Sequence, residues 1–235
     1  MNQETNPSLK ATDELFREAM QSISTKKEKM DDTEDGPPGE FLLDGKTGKG
    51  VTIHGKPVIL WYAKSVLNMN SGFLHKHLCT GPTFNLGDAC AYCCPYCYVE
   101  AAAHGRFAEF LKQHDLNFQE VVIRRQNAVE ILRRQLAKLS AKQRDFPHVV
   151  YSSTTVDVAG NVELAKETAA ACTLILEMTN WEIRLLSKSN MLPYLVSLIP
   201  KKDNYHKRLI LGVSTGIPCS GTMRWTWPFW PTGTS

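Results

Sequence analysis

The chain has 235 residues, 43% of them hydrophobic and 22% charged, with a formal net charge of +3, the make-up of a globular protein with a substantial core. No apolar run reaches the length of a membrane span, and the polar start Met1-Asn-Gln-Glu4 is followed by no apolar signal core. Seven cysteines, an odd number, argue against a disulfide framework and point to a reducing, cytoplasmic setting.

The charge is uneven along the chain. Residues 1–40 hold ten acids and five bases, a net −5, while the remainder holds 22 bases and 14 acids, a net +8. The basic body is compatible with a nucleic-acid partner. Residues 1–40 read as a flexible acidic arm. Within it Thr12 can cap a short helix with Leu15, Phe16, Ala19, Met20 and Ile23 on one face. The run from Lys26 to Gly39 is charged and then turn-rich, as linkers are.

Gly45 and Gly50 have the spacing of a phosphate loop, but Val51 stands where the lysine belongs. Residues 45–56 therefore read as a Gly/Lys-rich turn or hairpin leading into a strand at Val58–Tyr62. Cys79 stands alone and reads as a buried or free thiol. Thr83–Leu86 reads as a strand that leads through Gly87 into a dense cysteine run. Glu100 to Phe118 has no uniform pattern: Ala101–Ala103 and Phe107–Leu111 have helical character, and His104 and His114 read as surface or polar-contact histidines. Asn127 is the candidate cap of a helix with Val129, Leu132, Leu136 and Leu139 inward. Its outer face, with Arg133, Arg134, Lys138 and Lys142, reads as solvated.

The second half alternates. His148–Ser152 reads as a buried strand and Val162–Met178 as a helix with Leu164, Ala169, Cys172 and Leu176 on one side. Trp181–Leu186 reads as a strand, Asn190–Leu198 as a short helix with Pro193 near its first turn, and Arg208–Val213 as a strand. Such alternation implies right-handed crossovers and a parallel sheet or barrel, an α/β core over residues 41–216.

Four of the seven cysteines lie in Cys90-Ala-Tyr-Cys-Cys-Pro-Tyr-Cys97. As two abutting CxxC pairs they would suggest zinc, but Cys93 and Cys94 are adjacent and neighbouring side chains diverge. Cys90, Cys94 and Cys97 instead suit a larger iron–sulfur cluster, and three thiolates leave one iron open. A zinc site using Cys93 as well, or borrowing Cys79, is the alternative.

The spacing Cys90-x3-Cys94-x2-Cys97, with Tyr96 before and Tyr98 after the last cysteine, resembles the signature of the radical S-adenosylmethionine (radical SAM) enzymes. The Cys94-Pro-Tyr-Cys-Tyr98 ending is most similar to the spore photoproduct lyase branch. Weaker matches follow in order. Ser153-Thr-Thr-Val-Asp157, with Glu163 six residues on, resembles that branch's Thr-x-Thr-Asp-Pro-Tyr-Gln-Pro-x-Glu run, although Val-Ala-Gly-Asn replaces Pro-Tyr-Gln-Pro. Ser187-Lys188-Ser189 stands where relatives have Thr-Lys-Ser, and Val213-Ser214-Thr215-Gly216 where they have a Ser/Thr-rich strand end. The resemblance spans roughly residues 79–216.

The resemblance implies a partial (β/α) barrel of radical SAM type, shortened after about four of the family's six β/α units. It implies a [4Fe-4S] cluster on Cys90, Cys94 and Cys97, whose open iron chelates S-adenosylmethionine. Reductive cleavage would then yield a 5′-deoxyadenosyl radical that abstracts a substrate hydrogen. Tyr96 would lie beside the adenine, and Ser153, Thr154, Ser189 and Ser214 would hydrogen-bond to S-adenosylmethionine. An electron donor such as flavodoxin or ferredoxin is implied, with nucleic acid as a substrate class and lyase-like chemistry. Two departures qualify these expectations. Tyr151-Ser-Ser-Thr154 has no cysteine where the lyase carries its hydrogen-returning one, which points to another substrate than its thymine lesion. Residues 217–235 are a Trp/Pro-rich tail with one charge, Arg224, and no helix or strand period. The tail resembles a shifted frame or a truncated product, so the chain as written is expected to be weakly active or inactive. A zinc-binding interaction module and an inactive truncated barrel fragment are the alternatives.

Overall fold

The computed structural model describes residues 39–71, 81–92, 94, 97–202 and 204–214, leaving aside the side chains of residues 102–104. The Thr12 helix, most of the acidic arm, Cys79, Cys93, Tyr96 and the Trp/Pro-rich tail lie outside the described residues. The fold is mixed α/β. Its strands are β1 (Gly39–Phe41), β2 (Thr52–Ile53), β3 (Lys56–Trp61), β4 (Leu67–Asn68), β5 (Thr83–Phe84) and β6 (Gly87–Ala89) in the first part. Helix α1 (Val99–Gln113), strand β7 (Val122–Arg125) and helices α2 (Ala128–Ala137) and α3 (Ala141–Asp145) follow. The chain then alternates through β8 (Val149–Ser152), α4 (Val162–Met178), β9 (Glu182–Ser187), α5 (Leu192–Ser197) and β10 (Leu209–Val213).

These strands form two sheets among the described residues. One runs β10-β9-β8-β5-β4, with β5, β8, β9 and β10 parallel and β4 antiparallel at the edge. The register is continuous, with Thr83 opposite Tyr151, Val150 opposite Ile183 and Ile183 opposite Leu209. Four of the five expected strands are thus neighbours in chain order. Apolar side chains of α2, α4 and α5 cover this sheet as one layer: Leu132 and Leu136, Leu164 and Ile175, and Leu195 are buried with Val150, Ile183 and Leu185 in a single core. α4 occupies the expected residues, but its burial is broader than one stripe, taking in eleven side chains from Leu164 to Leu176. Small Ala165, Ala169, Ala170 and Ala171 let this helix pack on several neighbours at once.

The other sheet was foreseen only in its hairpin and in β3, the expected strand Val58–Tyr62; β1, β6 and β7 were not. It runs β1-β3-β7-β6 with β2 paired to β3. The turn between β2 and β3 is His54–Gly55, with φ of 51° and 78°, the doubly left-handed pair that closes a two-residue hairpin. β7 reads as polar in sequence because it ends in Arg124 and Arg125. Both find carboxylates: Arg124 pairs with Glu167 on α4, although its Nε stays buried without a hydrogen bond, and Arg125 reaches the fully buried Asp88 at 2.8 and 2.9 Å. The expected strand Thr83–Leu86 is corrected as well. Pairing in the parallel sheet ends at Phe84, the chain crosses at Asn85–Leu86, and β6 joins the other sheet antiparallel to β7. At that crossing a Cβ on Gly87 would lie 2.5 Å from the Ile123 carbonyl oxygen, so only glycine permits the approach. The acidic arm also ends slightly sooner than expected, since β1 starts at Gly39.

Asn127 does precede α2, but its backbone is left-handed at φ 53° and its side chain accepts no cap hydrogen bond. Capping by the side chain is instead seen in the unforeseen α3, where Ser140 accepts from Gln143 N–H and the Gln143 side chain returns to Ser140 N–H. No described helix is long and apolar enough to cross a membrane.

Candidate functional site

Cys90 directly follows β6, and Cys97 stands two residues before α1. Cys94 N–H donates to the Tyr92 carbonyl at 3.0 Å and Cys97 N–H to the Cys94 carbonyl at 2.9 Å. All three thiols are partly buried and in no disulfide. They line one cavity of about 280 Å³. Its far wall is the loop after β8, Ser153 to Asp157, with Ser187 and Lys188 at the end of β9 and Ser214 just past β10. Lys56 enters from the β2–β3 hairpin, whose His54 ring lies 6.4 Å from that of Tyr92. The site therefore gathers the C-terminal ends of parallel strands, where α/β proteins place ligand chemistry. The expectation that the cysteines follow a parallel strand is refined, because they follow β6 of the other sheet and meet the parallel strand ends across the cavity.

The electrostatics are mixed. Val99 and Glu100, the first turn of α1, also line the cavity, and this helix end has no side-chain cap. Its positive dipole end therefore favours thiolates or other anions there. Burial pushes the Cys90 thiol up, and the Asp157 carboxylate and Cys94 add to this, while backbone hydrogen bonds at Tyr92 and Asp157 oppose it. Burial also raises the Tyr98 phenol, with Cys97 adding to the effect. The three thiols share the cavity without closing to a ligand set. Among the described residues no group of three or more His, Cys, Asp or Glu side chains is gathered for a metal ion.

The expected polar contacts divide. Ser153 and Thr154 line the cavity, but both are held by Asn85. Its Oδ1 accepts from Ser153 Oγ at 2.6 Å, from Thr154 N–H at 2.7 Å and from Thr154 Oγ1 at 3.1 Å. Ser214 is at the cavity and donates its N–H to the Ser187 carbonyl at 2.9 Å. Ser189 is buried outside the lining, where its N–H donates to Ser187 Oγ and its Oγ accepts from Met191 N–H. Tyr98 hydroxyl donates to the Thr154 carbonyl at 2.6 Å, joining the cysteine loop to the loop after β8. Thr155 Oγ1 likewise donates to the Gly87 carbonyl at 2.7 Å.

Sequence reasoning missed Asn85, Lys56 and the role of Asp157. Asp157 Oδ1 accepts from Ser187 Oγ at 2.6 Å and Ala159 N–H at 3.0 Å, and Oδ2 accepts from Lys188 N–H at 2.7 Å. Its position in the Ser153–Asp157 run was visible, but its partner 30 residues away was not. Compared with protein-family models, with curated proteins and with solved structures, the chain matches none.

Proposed function

We propose that the chain is an iron–sulfur protein of radical SAM type, whose β5, β8, β9 and β10 are successive strands of a partial (β/α) barrel. The observation that carries this reading is that Cys90, Cys94 and Cys97, at the spacing CxxxCxxC, line one cavity with the C-terminal ends of three parallel strands. The winding supports it too. Strands that neighbour each other in chain order, covered by one helical layer, wind as a barrel does, whereas a doubly wound sheet reverses its order. The chemistry of the donors supports it, although they are not drawn together as a ligand set. Three soft thiols, none in a disulfide, face a common space beside the positive end of α1.

In this reading Cys90, Cys94 and Cys97 hold a [4Fe-4S] cluster, which when bound supplies the electron for reductive cleavage of S-adenosylmethionine and so a carbon radical for hydrogen abstraction. The chain's own residues shape the chamber. Asn85 clamps Ser153 and Thr154, and the Tyr98–Thr154 bond fixes the start of α1 against that loop. Ala89, Val99, Val156 and Leu186 supply apolar wall that limits water. Lys56 and Lys188 place positive charge at the same cavity, suited to a carboxylate or phosphate. A nucleic-acid substrate and an acidic one-electron carrier such as flavodoxin or ferredoxin are the partners that suit the net +8 of residues 41–235.

The test is anaerobic purification with iron and sulfide reconstitution, then metal counting and EPR of the reduced protein with and without S-adenosylmethionine. About four irons per chain and a signal that changes on addition are expected. Stoichiometric zinc in colourless protein would replace this reading with a zinc-binding interaction module. Neither metal in stoichiometric amount would leave the cysteine loop without a metal role.

A further inference from the structure

We infer that Asp157 is a positioning residue for Cys90: its carboxylate locks the loop after β8 onto the end of β9, and that locked loop covers Cys90. The inference deepens the proposed reading and rests on it only for the loaded protein. Both carboxylate oxygens are engaged. Oδ1 takes the Ser187 hydroxyl and the Ala159 N–H, and Oδ2 takes the Lys188 N–H. One side chain thus ties β9 to its own loop, and its carbonyl accepts Gly160 N–H at 3.2 Å to complete a tight turn.

That turn sits over the cysteine loop. Cys90 packs against the core that includes Val156, Val158 and Ala159, the residues on either side of Asp157. A Cβ on Gly160 would meet Asp157 at 3.4 Å and the Tyr92 ring at 3.8 Å, so Tyr92, whose carbonyl faces Cys90 Sγ at 3.7 Å, is held beneath the same turn. Asp157 and Cys90 line the same cavity. Cys94 and Cys97 share that lining, but Cys97 packs against the other core, with Phe107 and Ile123, and Cys94 belongs to neither core, so of the three only Cys90 packs on the core to which Val156, Val158 and Ala159 belong. Release of the clamp therefore exposes one thiol of the three preferentially. Asp157→Asn also removes a negative charge from beside a cluster ligand, and net charge near a cluster helps to set its potential.

The experiment uses three forms of the full chain: wild type, Asp157→Asn and Ser187→Ala. The second variant removes a rung of the clamp and leaves the carboxylate in place. Cluster-free protein is treated with iodoacetamide, and alkylation of Cys90, Cys94 and Cys97 is followed separately by peptide mass spectrometry. Both variants should speed Cys90 several-fold relative to Cys94 and Cys97, with circular dichroism unchanged. Equal acceleration of all three thiols, or none, would overturn the inference. In reconstituted protein Asp157→Asn should move the cluster's midpoint potential to a more positive value, while Ser187→Ala should move it less. Identical potentials in all three forms would remove the electrostatic part. If wild type takes up no cluster, the family reading fails, and the alkylation pattern still decides the positioning role.

Discussion

At the scale of single residues, the three cysteines of the CxxxCxxC spacing are separable from the fourth. Alanine at Cys90, Cys94 or Cys97 is expected to abolish the EPR-active centre, whereas Cys93→Ala is expected to retain it; iron content per chain measured after reconstitution checks both. A four-thiolate zinc site would lose its metal in all four variants. Asn85 is a different kind of residue, because one oxygen satisfies two hydroxyls and a backbone N–H of the loop after β8. Asn85→Ala leaves these groups unpaired at the edge of the core and should cost about 1–3 kcal/mol in urea unfolding. Its effect should be larger than that of Ser153→Ala, which removes only one of the three. The cysteines were legible because their spacing is local and their chemistry narrow. Asn85 and Asp157 were not, since each works through partners 30 to 69 residues away that no local pattern reveals.

At the scale of elements, β7 is anchored to β6 and to α4 by charged pairs that the sequence disguises. Val122-Ile-Arg-Arg125 has too few apolar residues to declare a strand, yet Val122 and Ile123 are buried and the arginines find carboxylates on other elements. The parallel strands and α4 were legible because they carry long apolar runs with clear ends. In the second sheet only the hairpin and β3 were legible; β6 and β7 were not, being short strands whose charged residues pair with distant partners. Burial pushes the Glu167 carboxyl up, and Arg124 holds it back. Arg124→Met should therefore destabilise by about 3–5 kcal/mol, and the double variant with Glu167→Met should recover most of that loss. A double-mutant cycle by chemical denaturation reads the difference, and additive losses would show that the pair is not coupled. Gly87→Ala should also destabilise the crossing between the sheets, because the added Cβ meets the Ile123 carbonyl oxygen rather than a flexible side chain.

At the scale of the whole molecule, pH acts through groups away from the cavity. His148, between Phe146 and Trp181, has its imidazole pushed below the ordinary histidine value by burial. The unfolded chain then binds the proton more readily, so this contribution is present above the ordinary value of about 6.5 and is lost as pH falls through it. Glu167 has the opposite sign: its raised carboxyl pKa favours the folded state at low pH, and that contribution is lost as pH rises through the folded value. Thermal melting of wild type and His148→Phe at pH 7 and 5.5 separates the two: the variant should lose less, or gain more, than wild type on going to the lower pH. The long reach of the parallel sheet has a further consequence, in the timing of synthesis. The cavity is assembled from the hairpin, the cysteine loop, the loop after β8 and the end of β9, in that order along the chain. A ribosome adding about 5–20 residues per second needs roughly 5–20 s to travel from Cys97 to Lys188. Through that interval the thiols are already made and the residues that cover them are not, so the nascent chain passes through a stage in which its most reactive side chains depend for protection on the redox state of their surroundings.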